Sequence, residues 1–207
     1  MTLDPRHILT AIAIGLGATL VMDLWNLFLK RAFGIPSLSY CLLGRWIGHM
    51  PSGKVRHASI AAAPAVRFEC TIGPIAHYAI GVTLAIGFIL IASQAWLARP
   101  TFLPALLYGV VTVVFPFFLM QPSFGLGIAS ARTPHPARAR LKSLMTHTVF
   151  GAGLYLSALG MRYLLGGQSR VTGRRRNPST SRPLDLSTPR PLDPSTIFFS
   201  CLHQWPA

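Results

Sequence analysis

The sequence predicts an all-α integral membrane bundle of four transmembrane helices, with an amphipathic interfacial helix in its first loop. Three observations carry that class. Hydrophobic residues make up 51% of the 207-residue chain and charged residues only 12%, about half the charged share of an ordinary soluble domain. Four long stretches are nearly free of charge: Ile8 to Leu29 holds only Asp23, and Ile75 to Leu97, Phe102 to Ala131 and Ser143 to Met161 hold none. A helix rises ~1.5 Å per residue and the hydrocarbon core is ~30 Å thick, so about 20 apolar residues suffice to cross. The spans therefore fall at about 8–29, 75–97, 102–122 and 143–165.

The first span reads as a retained anchor. Its start, "MTLDPRH", carries one Arg and an Asp, and its apolar part is too long for the core of a signal peptide. Lys30 and Arg31 follow it at once, as a stop signal for translocation would.

The net charge of +14 is compatible with nucleic acid, anionic lipid or topology signals, and the placement of the charges separates these. The loop after the first span holds Lys30, Arg31, Arg45, Lys54, Arg56 and Arg67, and the third loop holds Arg132, Arg138, Arg140 and Lys142. The short second loop has only Arg99. Positive residues favour the cytoplasmic side, which puts both long loops inside and both termini outside. Arg170 and Arg174 to Arg176 disagree, being then outside. The basic residues form no single stripe and the aromatic residues no stacking platform, so nucleic acid is not an expected partner; the lipid bilayer is.

In the first loop, "SYCLLGRWIGHM" places Tyr40, Leu43, Trp46, Ile47 and Met50 on one helical face and Cys41, Arg45, Gly48 and His49 opposite. That pattern predicts an amphipathic helix on the inner leaflet, opened by Ser39 and stopped by Pro51. Trp25 and Trp96, near span ends, read as interfacial anchors. Cys41, Cys70 and Cys201 have no metal or redox spacing. The first two fall in a loop predicted to be cytoplasmic, where thiols stay reduced; a disulfide between them would require the opposite topology.

Asp23 is the main chemical question. An acid at the bilayer centre costs about 2.5–3.5 kcal/mol on insertion scales, so it is expected to face other helices or a wet cavity. Ala11, Gly15, Thr19 and Asp23 recur every four residues, a ridge of small side chains that lets helices approach closely. Asn26 lies on the adjoining face. In the second span His77, Gly81 and Ala85 share a face, and in the fourth Ser143, His147 and Gly151 do. Alternating span directions set Asp23, Asn26, His77, Gln121 and His147 in the same half of the membrane, as one polar layer. Gly15, Thr19, Gly81 and Gly151 are the helix-packing positions.

An Asp with two histidines can exchange protons near neutral pH or bind a divalent metal, and the metal remains an open alternative. The plainer reading is that each His bonds a helix end and Asp23 only holds helices together. The third span, "VVFPFFLMQPSFGLGIAS", has Pro116 and Pro122 around Gln121, so its backbone is broken close to that side chain. A broken helix near a polar layer is how many transporters build a substrate site, and also how a helix leaves the membrane.

No HExxH, GxSxG or Walker pattern is present, so no enzyme and no cofactor is expected. From Gly173 the chain reads "GRRRNPST", "SRPLDLST", "PRPLDPST", proline-rich octads that cannot bury a core. Residues 168–207 are expected to be a disordered tail, either a tethered peptide ligand or repetitive sequence appended to a finished domain of residues 1–167.

The segments "GATLVMDLWN", "GIPSLSYCLLGRWIGHMPSGK", "FECTIGPIAHYAIG", "VVFPFFLMQPSFGLGIASARTPHP" and "LKSLMTHTVFGAGLYLSALG" together resemble the bacterial membrane proteins grouped as domain of unknown function 2938, over residues 1 to about 166. The resemblance implies a small polytopic inner-membrane protein of bacteria and supplies no activity or ligand. Two expectations follow. One is a transporter or permeation module for a proton, cation or small polar solute, built as a homo-oligomer because four helices make a small pathway. The other is a non-catalytic membrane scaffold or partner-binding subunit.

Overall fold

The computed structural model describes residues 5–174 of the chain. All regular structure among them is helical: α1 (Pro5–Phe33), α2 (Tyr40–His49), α3 (Glu69–Ala92), α4 (Gln94–Ala98), α5 (Phe102–Val111), α6 (Gln121–Ser123) and α7 (Pro136–Arg174). Four segments are long and apolar enough to cross a membrane: His7–Phe33, Glu69–Ala92, Phe102–Ser123 and Pro136–Leu164. They belong to the unit Met1–Ser169. The proline-rich octads, from residue 175 on, lie outside the described residues.

α1 is amphipathic towards lipid. Leu16, Leu20, Leu24, Leu27 and Phe28 are exposed, while Ala11, Gly15, Ala18 and Thr19 are buried. In a membrane the exposed row meets acyl chains, and the buried row meets α3 and α7. Lys30 and Arg31 stand in the last helical turn, where cations suit the carbonyl end of the helix dipole.

The ridge read from the sequence is the α1–α3 seam. A Cβ on Gly15 would lie 2.7 Å from the Val82 Cα, and one on Gly81 would lie 1.9 Å from the Thr19 hydroxyl oxygen. Thr19 donates that hydroxyl to the Gly15 carbonyl at 2.8 Å, which satisfies it within its own helix. A second seam, between α5 and α7, is closer still: a Cβ on Gly109 would lie 2.5 Å from the Gly151 Cα. A third joins α1 to α7, with Gly153 against the Ala18 backbone and Gly17 against Ser157. Phe88, Ile89, Phe150 and Leu154 fill the space between the helices.

The structure departs from the expected elements in the second span, in the first loop, and at the end of the fourth span, where α7 runs on to Arg174 although a disordered tail is expected from residue 168. The second span begins at Glu69 and ends at Ala92, because Ser93 takes a left-handed φ of 68° and turns the chain into α4. That turn carries Trp96 inward, onto Phe88 at 4.7 Å between ring centroids, with its Nε1 donating to the Thr101 carbonyl at 3.1 Å. Trp96 is therefore core and not an interfacial anchor.

The third span is broken where its prolines predict. α5 stops at Val111, and a π-helical turn over Pro116–Met120 leads into α6.

The first loop differs most. α2 forms over the expected residues, but it does not lie with one face on lipid and the other in water. A Cβ on Gly44 would lie 1.9 Å from the Glu69 carbonyl oxygen, and one on Gly48 would lie 2.6 Å from Val66, so the supposed polar face is packed as well. The loop then runs over the end of the third span, where His57 N–H donates to the Ser123 carbonyl (2.9 Å) and Ile60 N–H to that of Phe124 (3.1 Å). Leu43, Trp46, Ile60 and Phe124 form a small apolar core beneath it. The loop is a folded cap.

Candidate functional site

Asp23 lies about 15 Å along α1 from the helix end at Phe33, using ~1.5 Å per residue. The antiparallel register that puts Thr19 on Gly81 puts Asp23 opposite His77, one turn nearer the cap. The His77 Nε2 is 3.1 Å from Asp23 Oδ1. Tyr40, the first residue of α2, donates its hydroxyl to the same oxygen. The Tyr40 ring also stacks on the His77 imidazole, with centroids 4.3 Å apart and planes 23° from parallel. The Tyr78 ring stands edge-on to that imidazole, with centroids 5.7 Å apart.

These contacts define the chemistry. A carboxylate accepts from two donors at once, and a phenol that donates to it must keep its proton. Burial first, then the adjacent Asp23 carboxyl, pushes Tyr40 above the ordinary tyrosine range, so it remains a donor at any physiological pH. The side chains of His77 and Asp23 keep 13% and 24% of their exposure, so the pair is sheltered without being sealed. An acid beside an imidazole, with an opening, can take up and release a proton.

Of the other residues expected in the layer, each finds a different partner. His147 Nδ1 is 2.8 Å from the Thr112 hydroxyl oxygen, and that hydroxyl is itself 2.6 Å from the Gly109 carbonyl. The Thr112 proton is used on the carbonyl, so the proton of the His147 contact sits on Nδ1 and leaves Nε2 as the basic nitrogen. No hydrogen bond joins His147 to Asp23 or His77 among the described residues. Asn26 meets Thr146 at 3.5 Å, the outer limit of a hydrogen bond. Gln121 is 5% exposed and donates to the Ser143 hydroxyl at 3.2 Å, while its Oε1 is buried with no partner among the described residues. The single layer expected from the sequence is thus four separate contacts: Asp23 with His77 and Tyr40, His147 with Thr112, Asn26 with Thr146, and Gln121 with Ser143. No group of three or more His, Cys, Asp or Glu that could hold a metal ion occurs among the described residues.

Two features escaped the sequence reading. Tyr40 was placed on the apolar face of α2; only the turn of α2 back onto α3 brings its hydroxyl to Asp23. The second is the pin that holds this turn. Arg45 forms a two-pronged ion pair with Glu69 (Nε to Oε2 2.8 Å, and 2.7 Å from the second guanidinium nitrogen to Oε1). The remaining Arg45 nitrogen donates to the Ala61 and Ala63 carbonyls at 3.1 and 3.0 Å, and Val66 N–H donates to Glu69 at 3.0 Å. The carboxylate of Glu69 raises the Arg45 pKa above its ordinary value, so the pin is permanently charged.

Cys41 and Cys70, expected to be reduced thiols, are joined as a disulfide beside this pin. Cys70 is therefore not available as a nucleophile in this state. The bridge and the charge count point to opposite faces of the membrane for the first loop.

A family model described as "Protein of unknown function (DUF2938)" matches residues 12–161. No curated protein and no solved structure matches the chain.

Proposed function

The chain belongs to the DUF2938 family, and we propose that it is a proton-handling permeation module for a small polar solute or cation, acting through Asp23, His77 and Tyr40. The observation that carries this reading is the convergence of a carboxyl, an imidazole and a phenol on one oxygen between two membrane spans. Intramembrane acids cost insertion energy and are retained chiefly where they work. The broken third span adds a buried amide oxygen, Gln121 Oε1, with no partner of its own, a place for a donor group or cation to bind. Four spans enclose little space, so two copies are expected to form the pathway.

The test is flux. Wild type and Asp23→Asn, each reconstituted in vesicles, are compared for pH-driven proton and solute movement across a panel of small cations and amines. Asn keeps the shape and the acceptor but cannot be ionised. A loss of the pH-dependent component is expected; superimposable traces over the whole panel sink the proposal.

The rival reading is a scaffold in which the same contacts serve as helix glue, favoured by the glycine seams. Under it, Asp23→Asn changes melting or oligomer size and no flux exists to lose. Neither reading invokes a chemical reaction.

The membrane we propose is the bacterial inner membrane, with both long loops in the cytoplasm, since those loops hold ten of the 19 Lys and Arg while the short second loop holds only Arg99. The Cys41–Cys70 bridge then opens in the reducing cytosol. A membrane-permeant maleimide should label both thiols in cells and an impermeant one should not; the reverse pattern inverts the topology.

A further inference from the structure

We infer that the seam between α1 and α7 binds the phosphate headgroup of an anionic phospholipid, held by Lys30 and Lys142 with Arg138 beside them. The seam register is fixed by contacts: Gly17 faces Ser157, Gly153 faces Ala18 and Asn26 meets Thr146. One turn beyond Asn26 on the same face of α1 stands Lys30. One turn before Thr146 on the same face of α7 stands Lys142, and one turn before that, Arg138. Lys142 reaches across the seam to donate to the Pro36 carbonyl, which confirms that these ends lie together. That bond uses one of three ammonium protons, leaving two. Arg140 points elsewhere, with its Nε on the Ala129 carbonyl at 2.8 Å.

The described residues supply no anion to this cluster. The described residues contain two acids, Asp23 and Glu69, and both are committed, to His77 with Tyr40 and to Arg45. The first turns of α7, "PARARLK", hold three cations and no acid, against the preference of a helix start for negative charge. One turn below Lys30 on α1, Leu27 is exposed. It is placed to take an acyl chain below a phosphate at the level of Lys30 and Lys142. A charged headgroup joined to hydrocarbon fits this arrangement, and free phosphate fits only its upper part.

Full-length protein in detergent is titrated with phosphatidylglycerol, and bound lipid is counted by native mass spectrometry, with phosphatidylcholine as the uncharged comparison. Wild type should retain phosphatidylglycerol in preference. The Lys30→Gln/Lys142→Gln variant should bind it about fivefold more weakly for each cation removed. Lys54→Gln/Arg56→Gln removes the same charge from the cap and should leave binding unchanged. Equal retention of the two lipids by wild type, an equal loss in the cap variant, or full competition by soluble glycerol phosphate would each overturn the inference. Monodisperse elution with the helical circular-dichroism spectrum of wild type shows that a variant has folded.

Discussion

The α1–α3 and α5–α7 seams are built alike and end differently. Each is an antiparallel helix pair brought together by glycine, and each carries a histidine one turn towards the cap. In the first, Gly15 meets the Val82 backbone, Gly81 meets the Thr19 side chain and the histidine meets an acid; in the second, Gly109 and Gly151 both meet backbone and the histidine meets a hydroxyl. The difference teaches that close packing and chemistry are separable in this bundle. The tighter seam, α5–α7, is the less polar one, and the ionic site sits where a threonine side chain leaves some give.

The largest effect should come from breaking the tighter seam. A methyl at Gly109 meets the backbone of α7 at 2.5–2.6 Å, which no rotamer change can relieve. Gly109→Ala should cost at least the ~1–3 kcal/mol of overpacking, read as a lower melting temperature in detergent. Gly81→Ala meets only the Thr19 side chain, so it should cost less and be rescued by Thr19→Ala. Rescue of Gly109→Ala by one side-chain truncation would contradict the comparison.

The next effects concern the two histidines. Asp23→Ala removes the acceptor shared by Tyr40 and His77, and hydrogen bonds to a charged group are worth ~1.5–3 kcal/mol each. Thr112→Val removes a neutral partner from His147, worth ~0.5–1.5 kcal/mol. Melting curves of the two variants should rank in that order. Equal shifts would mean that the carboxyl gains nothing from its charge.

The same contrast explains how much could be read in advance. The α1–α3 seam was legible because its signal is local: Ala11, Gly15, Thr19 and Asp23 on one helix and His77, Gly81 and Ala85 on another repeat every four residues. A register that fits glycine to threonine brings acid to imidazole as a consequence. Thr112 was not legible as the partner of His147, because it lies where α5 ends ahead of the π-helical turn, and helical period cannot be carried across that break. Tyr40 was hidden for a related reason. Amphipathic spacing in α2 distinguished two faces correctly but could not say that Gly44, Gly48, Arg45–Glu69 and Cys41–Cys70 would pack the second face against α3. Those contacts join residues far apart in sequence, and no periodic signal reports them.

The central claim is that Asp23 and His77 act as one proton-exchanging unit while His147 stands apart. Nitrogen NMR of histidine-labelled protein in lipid bilayers, read at one fixed pH, tests it most directly. Replacing Asp23 by Asn should move the ring-nitrogen resonances of His77, whose Nε2 faces the carboxyl, and leave those of the Thr112-bound His147 where they were. His77 resonances unaltered by loss of the carboxyl would contradict the account.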